Sequence, residues 1–326
     1  MPKTLRVFFG ETMKSFLLVL FALLAAGCSA APTPAATPAS SAQLEAILTV
    51  TARKPAGGTT PVPSGPSQSN PAASQSIALV AHRGGAGLGA ENVLSTFRIG
   101  LNYNSDYLEM DVHLTKDGIP VVIHDATLDR TTNGSGPVSN YTFAQLLNLN
   151  AVAKYPNKSY GERIPALAEV LDLAKPTLAG LEVEIKVGAD GKPYPGIEQK
   201  VMDEIAARDM LDRVRIMAFE FDTLKRVRAI SPGVKTVALM TTDYFRRMDV
   251  GKPAAIMDDV STYGANGIGV NKDLLTPALV DEAHRRKMAV GVWTVDDEAE
   301  MQKFIGMGVD GITTNRPDIL KKVLGR

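Results

Sequence analysis

The chain has 326 residues, 45% of them apolar, and a formal net charge of zero. That is ample apolar material for a sizeable core, and a neutral balance without a basic block or aromatic–basic interleaving gives no electrostatic case for nucleic acid. The lone cysteine, Cys28, excludes an intrachain disulfide and a cysteine zinc site.

The first stretch reads as an export signal. Met13-Lys14-Ser15 opens an apolar run over 16–26 that closes on Ala25-Ala26-Gly27-Cys28. A basic start, a short apolar core and small residues before a cleavage point have that meaning, and the run is too short to span a bilayer comfortably. The small residues before Cys28 resemble a bacterial lipobox. The resemblance implies that 1–28 is a lipoprotein-type signal, that Cys28 is acylated, and that the protein is exported, held on a lipid membrane and facing the periplasm. A plain signal peptide with an incidental cysteine is the alternative. Residues before Met13 read as an upstream extension, with Met13 as an alternative start. Residues 29–76, rich in Ala, Pro and Ser, carry too little apolar surface to fold and read as a tether.

From 77 to 326 strands and helices alternate. Strands are expected over 77–81, 107–114, 121–124, 181–187, 214–219, 235–240, 267–270, 289–295 and 311–314. Helices are expected over 93–101, 165–174, 197–207, 223–230, 254–260, 277–286, 298–306 and 317–324. This alternation in one domain suggests an α/β fold, a (β/α)8 TIM barrel. The rhythm breaks over about 126–163, where Thr131-Thr132-Asn133-Gly134-Ser135-Gly136-Pro137 is turn-rich and 143–149 is a short helix. That stretch is too long for an ordinary connection and reads as a small inserted subdomain after the second strand, beside the barrel mouth.

The chemistry-bearing residues sit on the early strands. In Glu109-Met110-Asp111-Val112-His113 the period of two puts both carboxylates and the imidazole on one face. A hard divalent cation held by carboxylate oxygens would resolve their repulsion; a solvated edge strand is the bland alternative. Leu79-Val80-Ala81 ends in His82-Arg83-Gly84, and Val121-Val122-Ile123 ends in His124-Asp125. Both read as buried strands with charged C-terminal tips. On the following strand Glu182, Glu184 and Lys186 share one face, where unpaired burial is expensive. Glu109, Asp111 and Glu184 thus offer metal ligands, Arg83 and Lys186 positive charge, and His82 and His124 a base and an acid titrating near neutrality.

Taken together, these residues resemble the bacterial glycerophosphodiester phosphodiesterase family. The likeness runs over about 78–318 and includes His82-Arg83-Gly84, Glu91-Asn92, Glu109-Met110-Asp111-Val112, Thr115-Lys116-Asp117-Gly118, His124-Asp125, Leu128-Asp129-Arg130-Thr131-Thr132, Glu184-Ile185-Lys186, Trp293-Thr294-Val295 and Gly308-Val309-Asp310-Gly311. It implies a barrel with an insertion, a divalent metal (Ca2+ or Mg2+), and hydrolysis of glycerophosphodiesters to glycerol 3-phosphate and an alcohol. A glycerol hydroxyl attacks phosphorus and a cyclic phosphate follows. It adds Glu91 as a fourth metal ligand and lets Phe219 and Trp293 pack on the glycerol carbons, unless they are core aromatics. His113 receives no catalytic role. The family usually has Pro-Glu-Asn-Thr at Ala90-Glu91-Asn92-Val93, a serine at Ala218 and an aspartate at Asn315; the last two are expected to touch pocket detail and leave the histidines alone. The competing readings are a barrel phosphodiesterase or phospholipase D-like enzyme acting on intact or lysophospholipids, and a non-catalytic binding lipoprotein.

Overall fold

The computed structural model describes residues 77–156, 161–249 and 251–326. These fall within one compact unit, Ser69–Arg326. The expected signal, Cys28 and tether lie outside the described residues. Among the described residues no helix is long and apolar enough to cross a membrane.

The elements follow in chain order as β1 (Ala78–Ala81), α1 (Leu94–Asn102), β2 (Tyr107–Leu114), β3 (Pro120–Val122), α2 (Phe143–Leu146), α3 (Leu167–Ala174), β4 (Gly180–Ile185) and α4 (Ile197–Ala206). Then come β5 (Val214–Ala218), α5 (Phe221–Ile230), β6 (Lys235–Met240), α6 (Thr242–Met248), α7 (Pro253–Thr262), β7 (Gly267–Asn271), α8 (Pro277–Arg285), β8 (Ala289–Trp293), α9 (Glu298–Met307), β9 (Gly311–Thr314) and α10 (Pro317–Val323). Eight strands, β1, β2 and β4–β9, are parallel. They close into a barrel because β1 pairs with both β9 (Leu79↔Ile312) and β2 (Val80↔Tyr107). This is the expected (β/α)8 barrel.

Strand parity decides what each face does. Leu108, Met110 and Val112 of β2 join Leu167, Val170 and Leu171 of α3 in one buried cluster between sheet and helices. The alternate residues Glu109 and Asp111 therefore turn to the barrel interior. The helices are terminated by local chemistry. Thr276 caps α8 by accepting from Leu279 N, with Pro277 at the first turn. Asp297 caps α9, which ends at Gly308 with φ 85°.

The strand expected over 121–124 is a correction. It is the shorter β3, and it runs antiparallel to β2 (Val112↔Val122, Leu114↔Pro120) instead of joining the barrel. The reversal comes from Thr115-Lys116-Asp117-Gly118: Gly118 has φ 76°, its N–H bonds Thr115 O at 2.9 Å, and Thr115 Oγ1 accepts from Ile119 N at 2.9 Å. His124 is thereby carried on the excursion between β2 and α3. That excursion has its own core, including Val121, Ile123, Leu128, Val138, Leu146 and Val152. Helix α6 was not expected from the sequence: it lacks an apolar stripe and is held by its Thr241 cap and by Tyr244, which stacks on Phe221 and Phe245.

Candidate active site

The C-terminal mouth of the barrel gathers the residues singled out in the sequence, from β1, β2, β4, β5, β8 and the excursion. One ligand atom each from Glu109, Asp111 and Glu184 lie within 4.8 Å of one another, and all three residues are buried. Burial, then the charges of Asp111 and Glu184, push Glu109 well above the usual carboxylate range. Burial likewise raises Glu184, to about 7, against the pull of Lys186. Asp111 behaves otherwise: burial works to raise it, but Lys186 and Arg83 outweigh that and hold it below its ordinary value. Three buried hard oxygens of which two resist ionising suit a divalent cation, which would relieve the repulsion that raises them.

Two cations flank the cluster. Lys186 Nζ lies 2.7 Å from Glu184 and 3.3 Å from Asp111. Although burial works to lower it, the carboxylates push it up to about 12, so it is charged at neutral pH. Arg83 occupies a left-handed backbone position (φ 50°) at the tip of β1. Its amide N–H donates to Glu109 at 2.8 Å and its guanidinium to Glu91 at 2.9 Å. Arg83 Nε is buried with no hydrogen-bond partner among the described residues, 3.5 Å from Asp111. A donor left open there suits an anion.

Glu91 does not join the carboxylate cluster, contrary to the expectation of a fourth ligand. Its two oxygens accept from Arg83 and from both terminal nitrogens of Arg130, at 2.8 and 2.6 Å for the latter. Arg130 also forks onto Asp125 at 2.7 and 3.0 Å. One bidentate contact from Arg130 and a single bond from Arg83 occupy the carboxylate that a metal would need.

The two histidines differ in their backing. His82 Nδ1 donates to Asn315 Oδ1 at 2.7 Å, and the Asn315 amide is itself fixed by donating to Asp296 at 2.8 Å. Nε2 is then the unprotonated nitrogen, 3.9 Å from Glu109. Burial, helped by Arg83, lowers the His82 pKa to about 4. Asn315 thus touches a histidine, which corrects the expectation that this departure leaves them alone. His124 Nδ1 bonds Asp125 at 2.7 Å, and Asp125 is held down at about 2 by Arg130. Burial lowers His124 as well, while Asp111 and Asp125 pull it up.

His113 is buried and stands behind His124. Its Nε2 donates to the His124 carbonyl at 3.0 Å, which leaves Nδ1 to accept from the Tyr194 hydroxyl at 2.8 Å. Phe219 is 38% exposed at the mouth, 5.6 Å edge-to-face from Trp293, whose indole N–H is buried without a partner among the described residues. Lys186 Nζ sits 5.8 Å from the Phe219 ring centre. Asn92, Asp125, Arg130 and Asn315 are the residues that sequence reasoning left without a role. Asn92 donates to Asp111 at 2.8 Å. Three of them stood inside or beside quoted motifs, but nothing in local spacing tells that Arg130 reaches back to Glu91.

Comparison with known proteins gives the family and the fold. The family model described as "Glycerophosphoryl diester phosphodiesterase family" matches residues 82–319. A glycerophosphodiester phosphodiesterase from Caldanaerobacter subterraneus is 35% identical over 242 residues, 74% of this chain and 95% of that one. Another from Bacillus subtilis is 32% identical over 278 residues, 81% of this chain and 92% of that one. Among solved structures, a phosphodiesterase from Oleispira antarctica in complex with the product sn-glycerol-3-phosphate shares the fold with a TM-score of 0.65 at 23% identity, covering 76% of this chain and 96% of that one. A glycerophosphodiester phosphodiesterase from Agrobacterium tumefaciens does so with a TM-score of 0.64 at 24% identity, covering 76% and 99%. The chain belongs to the glycerophosphoryl diester phosphodiesterase family.

Proposed function

We propose that the chain is a phosphoric diester hydrolase that cleaves glycerophosphodiesters to glycerol 3-phosphate and an alcohol, with a divalent metal and a histidine acid–base pair. The observation that carries this reading is the meeting of three buried carboxylates, two cations and two differently backed histidines at one barrel mouth. A calcium or magnesium ion on Glu109, Asp111 and Glu184 would supply positive charge to the phosphate oxygens. Arg83 and Lys186 neutralise the remaining charge of the diester, so that a hydroxyl can approach phosphorus. His82 presents an unprotonated Nε2 at neutral pH and takes the proton of the attacking glycerol hydroxyl. His124, whose imidazolium is favoured by Asp125, gives a proton to the leaving alcohol as its P–O bond breaks. A cyclic phosphate results, and water opens it with the two histidines in exchanged roles. Phe219 and the free Trp293 N–H receive the glycerol.

Hydrolysis of glycerophosphocholine should vanish after exhaustive chelation and return with calcium or magnesium. Full turnover by protein free of metal would sink the metal assignment; failure of metal-loaded protein on every glycerophosphodiester would sink the activity. Export as a periplasmic lipoprotein acylated at Cys28 is the corresponding proposal for the N-terminus, supported by the lipobox-like Ala25-Ala26-Gly27-Cys28. A Cys28→Ser form should escape processing and acylation; a Cys28→Ser form that is processed and fractionates with membranes like the parent would argue against it.

A further inference from the structure

The interior of this barrel holds an open cavity. In a (β/α)8 barrel the inward side chains normally fill the bore in layers of branched residues. Here the inward positions of β2, β4 and β5 carry Glu109, Glu182, Glu184, Arg215 and Met217, whereas those of β7–β9 include Gly267, Gly269, Gly291 and Gly311. A cavity of about 430 Å³ results. It is lined at the mouth by His82, His124, Phe219 and Trp293 and at the other end by Lys235, Asn266, Lys287 and Asp310. Mid-strand residues confirm that the bore is open: the inward Val237, Gly291 and Thr313 are half-buried, where a filled barrel would bury them.

The glycines are of two kinds. At Gly267 a Cβ would sit 2.8 Å from the backbone oxygen of Ala289, so packing forbids a side chain there, and at Gly269 it would sit 2.6 Å from Leu239 Cδ2, so the leucine would have to move. Gly291 and Gly311 are not so constrained. A Cβ on Gly291 would meet nothing nearer than Ile268 O at 3.8 Å, and one on Gly311 nothing nearer than Ala78 Cβ at 3.5 Å. Neither has a positive φ. A strand glycine costs roughly 0.5–1 kcal/mol relative to alanine. What these two supply is space.

The walls say what the space suits. The glycine carbonyls and amides are engaged in the parallel ladders. The charged pair in the bore, Glu182 and Arg215, is closed on itself at 3.0 Å with Arg215 stacked 3.9 Å over Tyr107. Between the polar residues at the far end and the charged groups at the mouth, the middle of the bore is lined mainly by Val80, Met217, Val237 and Leu239, with Thr313 beside them. Along that middle stretch an occupant needs no hydrogen bonds. The inward run of β6, Lys235 to Leu239, is about 13 Å along the strand at roughly 3.3 Å per residue. At a tilt of about 36° that is about 11 Å along the axis, room for roughly eight methylenes.

We propose that the bore is a subsite for an unbranched aliphatic chain carried by the glycerophosphodiester beyond its phosphate. The proposal rests on the activity inferred above. The chain is either the leaving alcohol or an alkyl group on the glycerol.

Two substrate series separate these sources: glycerophospho-n-alkanols from two to ten carbons, and 1-O-alkyl-glycerophosphocholines of the same lengths. For the series that uses the bore, kcat/KM should climb with length, by up to about fourfold per methylene, and level off near eight carbons. Gly291→Leu should cut kcat/KM more than tenfold for chains above six carbons and less than threefold for glycerophosphoethanolamine. Gly311→Val should do the same, and melting curves establish that each variant is folded. Binding of both series to metal-loaded His82→Ala protein, followed by calorimetry, gives a readout without turnover. Affinity independent of length in both series, or Gly291→Leu and Gly311→Val weakening short and long chains alike, overturns the bore. Length-dependent binding without hydrolysis of any member would keep the bore and overturn the activity.

Discussion

The two histidines at the mouth are supported by different parts of the molecule. His82 stands at the tip of β1 and is backed by a neutral amide, Asn315, at the tip of β9. It belongs to the closed barrel. His124 stands on the excursion after β3 and is backed by a carboxylate, Asp125, which is tied through Arg130 to Glu91 and from there to Arg83. A neutral backing leaves the first as a base; an ionised backing favours the charged form of the second. On the proposed mechanism, the difference would give proton acceptance to the barrel and proton donation to the inserted subdomain.

The strongest way to break this comparison is to remove each ring. His82→Ala and His124→Ala should each lower kcat by roughly 10²–10⁴-fold, the usual worth of a general acid or base. The double variant should lose far less than the product of the two, because the groups act as one pair. Near-normal kcat with a fallen melting temperature would make either residue structural.

Next in size is the backing of His124. Asp125→Asn keeps the shape but removes the charge, and loss of a hydrogen bond to an ionised partner is worth about 1.5–3 kcal/mol. A fall in kcat of roughly 10- to 100-fold is expected, with KM little changed. Equal losses in kcat from Asn315→Ala and Asp125→Asn would erase the distinction drawn between the two rings.

His113 provides a gentler probe. With Tyr194→Phe, Nδ1 loses its donor, and the ring is free to take the other tautomer, which would aim a lone pair at the His124 carbonyl. A loss of about 0.5–1.5 kcal/mol, or roughly two- to tenfold in kcat, should follow for Tyr194→Phe and His113→Phe, and His113→Gln should recover part of it by donating to the same carbonyl. No recovery by glutamine would assign His113 to packing alone.

The smallest effect sharpens the assignment of the base. Asn315→Asp places a carboxylate on His82 Nδ1–H and favours the imidazolium, so the His82 pKa, about 4 in the native setting, should rise toward its ordinary value of 6.5. The base is then lost to protonation at higher pH. The acidic limb of the kcat/KM profile moves up, while the rate on the alkaline plateau stays within a few-fold. An unmoved limb would show that His82 is not the group titrating there.

Much of the barrel and the metal cluster was legible because their cause is local. The alternation in β2 and β4 alone sorts Glu109, Asp111 and Glu184 from Leu108, Met110 and Val183, and the outer apolar face settles which way they point. The direction of the strand before His124 was not legible. Val121-Val122-Ile123 has the same apolar signature either way, and only the turn at Thr115–Gly118 reverses it. Glu91 was misplaced for a related reason: its partner Arg130 lies 39 residues on, and a carboxylate opposite an arginine fork looks no different in sequence from one awaiting a cation. The open bore left no mark either, since strand glycines that clear space and strand glycines that avoid a clash, as at Gly291 and Gly267, share one letter.

The closure of the barrel by β1 on β9 also sets when the protein becomes competent. His82 and Asn315 are 233 residues apart, and their contact forms only when the first barrel strand meets the last. The segment carrying Glu109, Asp111 and Glu184 can be collected earlier, from β2 and β4, which pair directly. During synthesis the acidic cluster would therefore precede the oriented base, and long-range closure of this kind is the slow part of folding. On the proposed assignments, turnover should lag behind metal uptake in refolding, and a nascent chain would hold a cation before it could cut a diester.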